Sequence, residues 1–261
     1  MNQLQIIVKK EFVQMIREFK VVWLPLVFIF LGISQPIVSY YLPTILESLG
    51  GQQGITIDPS MAAQQGSEVL ATTLGSQFDQ LGIIIIVVSM MGVVQSEKMN
   101  GMLAFILTRP VRVSSYIGGK IISNYVFIAI SIAIGYLISY AYVYFLFTSV
   151  DFSTLMIALI AYLLWVLFMV SFTTMISTLF NSQGVIALVS IVVLLLARAI
   201  VGLSPILDYI NPASISGYAV RALMTETFSF SFVWQALYTI ILSIVALYIA
   251  NIWISQKRYY S

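Results

Sequence analysis

The chain has 261 residues, of which 60% are apolar and 8% charged, with a formal net charge of +2. A water-soluble domain carries about 45–50% apolar and about 25% charged residues, so the solvent around this chain is lipid. With no cysteine and no histidine, disulfides, thiolate nucleophiles, lipoprotein anchors, imidazole metal sites and His-dependent hydrolases are excluded; the length holds about six membrane helices of about 20 residues each and leaves no room for an ATPase domain.

Residues 1–20 combine Lys9, Lys10, Glu11, Arg17, Glu18 and Lys20 with Leu4, Val8, Phe12, Met15, Ile16 and Phe19 at helical spacing. This predicts an amphipathic helix lying at the membrane interface, rather than a simple charged lead into the first span. A cleaved signal peptide is not expected, because the apolar run that follows is too long and lacks a small-residue cleavage site. The first span covers 21–41, with Pro25, Gly32 and Pro36 predicting a bend and Trp23, Tyr40 and Tyr41 at interfacial positions. Residues 43–79 carry Glu47, Asp58, Glu68 and Asp79 but no Lys or Arg, and read as a polar external loop.

The second span, 80–95, runs into a charged segment, 96–120, that holds Lys98, Arg109, Arg112 and Lys120. In the third span, 121–147, Ser131, Gly135 and Ser139 make a small-residue face on which another helix can pack closely, within the chain rather than across a subunit interface. A turn at Asp151 leads to the fourth span, 154–180, and Asn181 to Gly184 make a turn into the fifth, 185–203, which is aliphatic until Arg198. Asn211-Pro212 has the order of a helix cap followed by a first-turn proline, predicting a short external helix to about Thr225. The sixth span, 232–254, ends before Lys257 and Arg258. Ten of the twelve basic residues fall on one side of this arrangement, which by the positive-inside rule is the cytoplasm, with both termini on it. The whole chain, 1–261, reads as one transmembrane domain.

The segment between spans two and three carries the strongest signal. Met99, Met102, Leu103, Phe105 and Ile106 are too apolar for a solvated loop, and Glu97-Lys98 and Pro110 bound a helix of about three turns. Such a helix suits a groove in a partner protein; the alternative is an interfacial connector that touches lipid alone. Read in full, Glu-Lys-Met-Asn-Gly-Met-Leu-Ala-Phe-Ile-Leu-Thr-Arg-Pro from Glu97 to Pro110, with Lys120 ten residues further on, the segment resembles the cytoplasmic loop of ATP-binding-cassette (ABC) permeases of the type-2 exporter class. That loop follows Glu-x-x-x-Gly-Thr-Leu-x-x-Leu-Leu-x-x-Pro and then a Lys. Glu97, Gly101, Leu103, Ile106, Leu107, Pro110 and Lys120 fall on the pattern; Met102 stands where the family usually has Thr, and Ile106 where it has Leu.

The resemblance implies an all-α integral membrane protein with six transmembrane helices and short, partly re-entrant external helices between spans five and six. It implies that Glu97, Lys98, Gly101, Leu103, Ile106, Leu107, Arg109, Pro110 and Lys120 form a coupling element that takes up the motion of an ATPase. Implied partners are two ABC ATPase subunits, which bind the ATP and magnesium, a second permease chain, identical or similar, and membrane lipid. No cofactor, catalytic site or nucleic-acid partner is expected in this chain. The implied function is export of an amphipathic substrate, whether peptide, lipid or drug-like, across a bacterial plasma membrane. The competing class is a non-transporting immunity or sensory protein that binds a peptide or signals through a partner. On the coupling role, Glu97→Ala or Gly101→Leu is expected to uncouple transport in a protein that still folds.

Gly118-Gly119-Lys120 fails as a phosphate loop, because Ser114 stands where a Gly and Ile121 where a Ser or Thr belong; it reads instead as a hinge and anchor opening the third span. Arg198 lies about 20 Å along its span, with Asp208 as a candidate partner. Together with Asn211 and Pro212 it is a candidate for binding an anionic group or holding an external gate; the alternative is that it anchors the helix end. Tyr136, Tyr140, Tyr142, Tyr144, Tyr162 and Trp165 read as packing and interface residues rather than as the lining of a pathway, and the acidic outer loop as a solvated surface.

Overall fold

A computed structural model of the chain describes residues 3–50, 65–108, 111–225 and 231–256. Asp58, Arg109, Pro110, Lys257 and Arg258, singled out above, lie outside the described residues. Among the described residues every regular element is helical: α1 (Gln3–Arg17), α2 (Lys20–Gly50), α3 (Gly66–Thr72), a π-helical stretch (Thr73–Leu81), α4 (Gly82–Met90), α5 (Gln95–Met99), α6 (Met102–Leu107), α7 (Val113–Leu146), α8 (Phe152–Leu179), α9 (Gln183–Ile200), α10 (Pro205–Ile210), α11 (Ser214–Thr225) and α12 (Ser231–Gln256). Six stretches are long and apolar enough to cross a membrane: Lys20–Ile45, Gly66–Met99, Val113–Leu146, Phe152–Leu179, Gln183–Ile200 and Phe232–Gln256.

The second of these departs most from expectation. It begins at Gly66 rather than near residue 80, so the stretch read as the end of a polar loop is helix. Leu70, Leu74 and Phe78 recur every four residues, with Val69 beside the first, and all are fully enclosed, which gives the stretch an apolar face as strong as a span's. Its polar side chains serve their own helix: the hydroxyls of Thr72, Thr73 and Ser76 donate to the carbonyls four residues before them, at 2.6, 2.8 and 2.7 Å.

The main seam of the bundle joins α2 to α7, and two glycines make it possible. A Cβ on Gly32 would lie 2.2 Å from the carbonyl oxygen of Gly135, and one on Gly135 2.4 Å from that of Phe28. The Ser131-Gly135-Ser139 face is thus used inside the chain, as expected, and Ser139 Oγ sits 3.3 Å from Thr73 Oγ1. Beside this seam Phe28, Tyr136 and Tyr162 surround Phe78 at centroid distances of 5.4, 6.2 and 6.2 Å, and the Tyr162 hydroxyl donates to the Phe78 carbonyl at 2.8 Å. Tyr136, Tyr162 and Trp165 are enclosed packing residues, whereas Tyr142 and Tyr144 face outward.

Helix α7 starts at Val113, so Gly118-Gly119-Lys120 lies inside a continuous helix and is no hinge. Gly119 has a different task. A Cβ there would fall 2.7 Å from Ile7 Cγ2, so the missing side chain lets α1 lie against α7. Helix α1 buries Glu11 and Met15 on this side and leaves Phe12 and Ile16 exposed, as is Phe19 in the turn that follows, the arrangement of an interfacial helix clamped to a bundle. Near the other end of the bundle Asn211 accepts from the Ala213 amide at 3.0 Å and donates to the Ala197 carbonyl at 2.6 Å. The following helix begins only at Ser214, so Pro212 precedes it instead of opening it.

Candidate functional site

Regular helix is lost at residues 91–94, after α4, and resumes as the short α5. Ser177 of α8 patches the break: its Oγ accepts from the amides of Val94 and Gln95 at 3.2 and 3.1 Å and donates to the Met91 carbonyl at 3.0 Å. Gln95 Nε2 donates to the Asn181 carbonyl at 2.7 Å. Lys98 Nζ reaches the carbonyls of Thr178 and Phe180 at 3.0 and 2.6 Å, a cation placed on the C-terminal end of α8, where the helix dipole favours it. The segment after span two is therefore fastened to the end of span four.

Glu97, one residue before Lys98, points the other way and meets Lys120. Lys120 Nζ lies 3.0 Å from Glu97 Oε1 and 2.7 Å from Glu11 Oε1. Lys10 pairs with Glu97 and lies 3.5 Å from Glu11, and the Tyr116 hydroxyl donates to Glu97 Oε2 at 2.6 Å. Two cations and two anions thus share one site in which Lys120 is fully enclosed and both carboxylates nearly so. A buried charge persists when it is paired and its remaining hydrogen-bonding capacity is met, and this cluster meets both conditions with no net charge. It joins three elements: α1 through Lys10 and Glu11, α5 through Glu97, and α7 through Tyr116 and Lys120.

The sequence pattern supplied Glu97 and Lys120 but missed Lys10, Glu11 and Tyr116. A signal for Glu11 was available: Leu4, Val8, Glu11 and Met15 lie on one helical stripe, and an acid inside an apolar stripe calls for a buried partner.

Helices α5 and α6 are not the single three-turn helix that the sequence predicts. They are separated at Asn100-Gly101, where Gly101 adopts φ +69°, a left-handed conformation that glycine reaches without steric penalty. Beyond it α6 lays Leu103 fully into the core, with Ile106 half-buried against it, and Leu107 closes the helix. Met99 (59%), Met102 (46%) and Phe105 (60%) remain exposed. Between α1 and this segment runs a groove of 680 Å³ whose lining includes Lys9, Arg17, Glu18, Ser96, Asn100 and Met102. Burial raises the Glu18 carboxyl, but hydrogen bonds from Lys20 and Gln14 and the charges of Lys20 and Lys120 outweigh it and hold the group below the usual carboxylate range.

Deeper in the second span, Asp79 gives Arg198 a partner the sequence did not suggest. Its Nε lies 2.5 Å from Oδ2 of Asp79, a fully enclosed carboxylate of the π-helical stretch, and Ser216 of α11 donates to the same oxygen at 2.9 Å. Asp208 does not pair with Arg198; it accepts from the Gly202 amide at 2.9 Å and from the Ser214 hydroxyl at 3.3 Å. Reading Asp79 as part of a solvated loop hid the true pair. Among the described residues no group of three or more Asp and Glu side chains comes together to hold a metal ion.

Comparison with known proteins agrees with this architecture. The family profile described as ABC-2 family transporter protein matches residues 5–255. The uncharacterized transmembrane protein YxlG of Bacillus subtilis (strain 168) is 33% identical over 261 residues, which cover the whole of both chains.

Proposed function

This chain belongs to the ABC-2 transporter family, and from that premise we propose that it is the permease subunit of an ABC exporter, moving an amphipathic substrate with ATP hydrolysed by two separate ATPase subunits. A second permease chain, identical or similar, completes the pathway. The chain itself makes and breaks no bonds: its role is to convert ATPase closure into a change of access.

The observation that carries this reading is the contrast within one short segment. Met99, Met102 and Phe105 are exposed, while α5, which bears Met99, is fastened to α8 by Lys98 and Gln95 and to α1 and α7 by Glu97, and α6, which bears the other two, is seated in the core by Leu103. Exposed apolar side chains on a rigidly held helix suit a groove in a partner, and force applied there reaches three helices through fixed contacts. With Gly101 separating α5 from α6, α6 acts as the contact pad and α5 as the anchor.

The test is recovery of the full-length protein from native membranes with its bound partners, followed by ATPase assay of the complex. An ABC ATPase should co-purify, and Phe105→Asp, at an exposed position, should lower substrate-stimulated ATPase activity at least about tenfold while the protein inserts and melts as before. Absence of an ATPase, or full coupling in Phe105→Asp, would overturn the proposal.

A further inference from the structure

We propose that the groove beside Arg198 holds a phospholipid of the surrounding bilayer, its phosphate on the guanidinium and one acyl chain along the cleft between spans two and five. The proposal rests on membrane embedding and does not require the transport reading.

The groove measures 550 Å³, and its lining includes Gly75, Gln80, Leu81, Ile84, Leu195 and Arg198. Its polarity is ordered along the membrane normal. Arg198 lies fifteen residues into α9, about 22 Å from its start and two residues from its end, which places it about 8 Å inside one face of a hydrocarbon layer about 30 Å thick. Leu81 and Ile84 follow Asp79 toward the middle of the second span, and Leu195 stands one turn deeper than Arg198 in α9. A polar head near the edge with an apolar path running inward from it is the shape of an amphiphile lying in its leaflet.

The chemistry of the head follows from the guanidinium. Asp79 engages Nε, the arginine side chain is 23% exposed, and among the described residues Nη1 and Nη2 have no hydrogen-bond partner. Donors facing hydrocarbon require an acceptor, because no bulk water supplies one. A phosphate can accept from both terminal nitrogens at once. Asp79 holds the guanidinium from behind through Nε and is itself held by the Ser216 hydroxyl, fixing the terminal nitrogens toward the groove.

The test uses the full-length protein in detergent, titrated with dioleoylphosphatidylglycerol and with dioleoylglycerol, which has the same chains without the phosphate, and read by native mass spectrometry. The expected result is one phospholipid retained per chain, about tenfold better than dioleoylglycerol, and not displaced by millimolar inorganic phosphate. Ile84→Trp, which fills the cleft and leaves the ion pair intact, should abolish the preference. The double variant Asp79→Asn with Arg198→Gln, which removes both charges together, should abolish it as well; if that variant misfolds, Ile84→Trp decides. Equal retention of the two lipids overturns the proposal, as does a preference that survives Ile84→Trp. Displacement by inorganic phosphate would overturn it in favour of a free-anion site. A lipid-free dimer that Ile84→Trp dissociates would overturn it by assigning the cleft to a second copy of the chain.

Discussion

Lys120 Nζ stands 3.0 Å from Glu97 Oε1, linking the short helix after span two to the first turns of span three with an ion pair that water scarcely reaches. These are the first and last residues of the pattern read between spans two and three, and they meet although they are far apart in sequence. Lys10 and Glu11 complete the cluster from α1. The amphipathic helix is therefore part of the same rigid body as the segment proposed to receive the ATPase, and displacement of one moves the other.

Glu97→Ala should act on stability before it acts on coupling. It leaves Lys120 and Lys10 sharing Glu11 alone, and breaking a buried pair from one side costs about 3–5 kcal/mol, so the substitution expected from sequence to spare the fold should weaken it. Thermal unfolding of the purified variant measures the loss. Adding Lys120→Met to Glu97→Gln removes one charge of each sign and should recover most of the stability; a double variant as unstable as the sum of its parts would show that the pair contributes no coupling energy.

Gly101 is required by backbone conformation and not by space. A Cβ there meets nothing within 4 Å, yet φ is +69°, and the left-handed region costs a non-glycine residue about 1–2 kcal/mol. Gly101→Ala and Gly101→Leu should therefore lower stability by similar amounts, and Gly101→Asn by less, since Asn tolerates this conformation. A much larger loss for Leu than for Ala in denaturant titrations would point to a steric role and contradict this account.

How much of this was legible in the sequence depends on the kind of interaction. Apolar runs disclosed the six spans because burial in lipid is written residue by residue, and the family motif located Glu97, Gly101 and Lys120. The long-range partners were hidden. Glu11 meets Lys120, and Asp79 meets Arg198, through tertiary packing that leaves no local mark beyond a charge on an apolar stripe. The Asp79 stretch was misread for a further reason: Thr72, Thr73 and Ser76 look like loop residues until their hydroxyls are seen to bond back to their own helix. Gly118-Gly119, read as a hinge, proved to be helix, with Gly119 needed for contact with Ile7.

Two glycines of α7 should respond in opposite ways to the same substitution. Gly135→Ala places a methyl group 2.4 Å from the backbone oxygen of Phe28, which cannot move aside as a side chain can. Such overpacking costs about 1–3 kcal/mol and should separate α2 from α7. Gly118→Ala meets nothing within 4 Å and replaces a glycine in a helix interior, a change that favours the helix by about 0.5–1 kcal/mol. Melting temperatures of the two variants should move in opposite directions, and equal shifts would refute the packing account of the α2–α7 seam.

The Asp79–Arg198 pair should be asymmetric. Asp79 is fully enclosed and Arg198 borders an open groove, so the two residues differ in what they can do when left alone. Arg198→Met strands a carboxylate with Ser216 as its remaining hydrogen-bond donor among those engaging it in the native chain, and the stability loss should approach the about 3–5 kcal/mol of a broken buried pair. Asp79→Asn leaves a guanidinium that already borders the groove and can extend toward the membrane edge, so its loss should be smaller. Combining Asp79→Asn with Arg198→Met should be milder than Arg198→Met alone, because no buried charge is left. Chemical denaturation of the three variants in one detergent orders them, and an Asp79→Asn loss equal to or larger than that of Arg198→Met would mean that the arginine is as confined as the acid it binds.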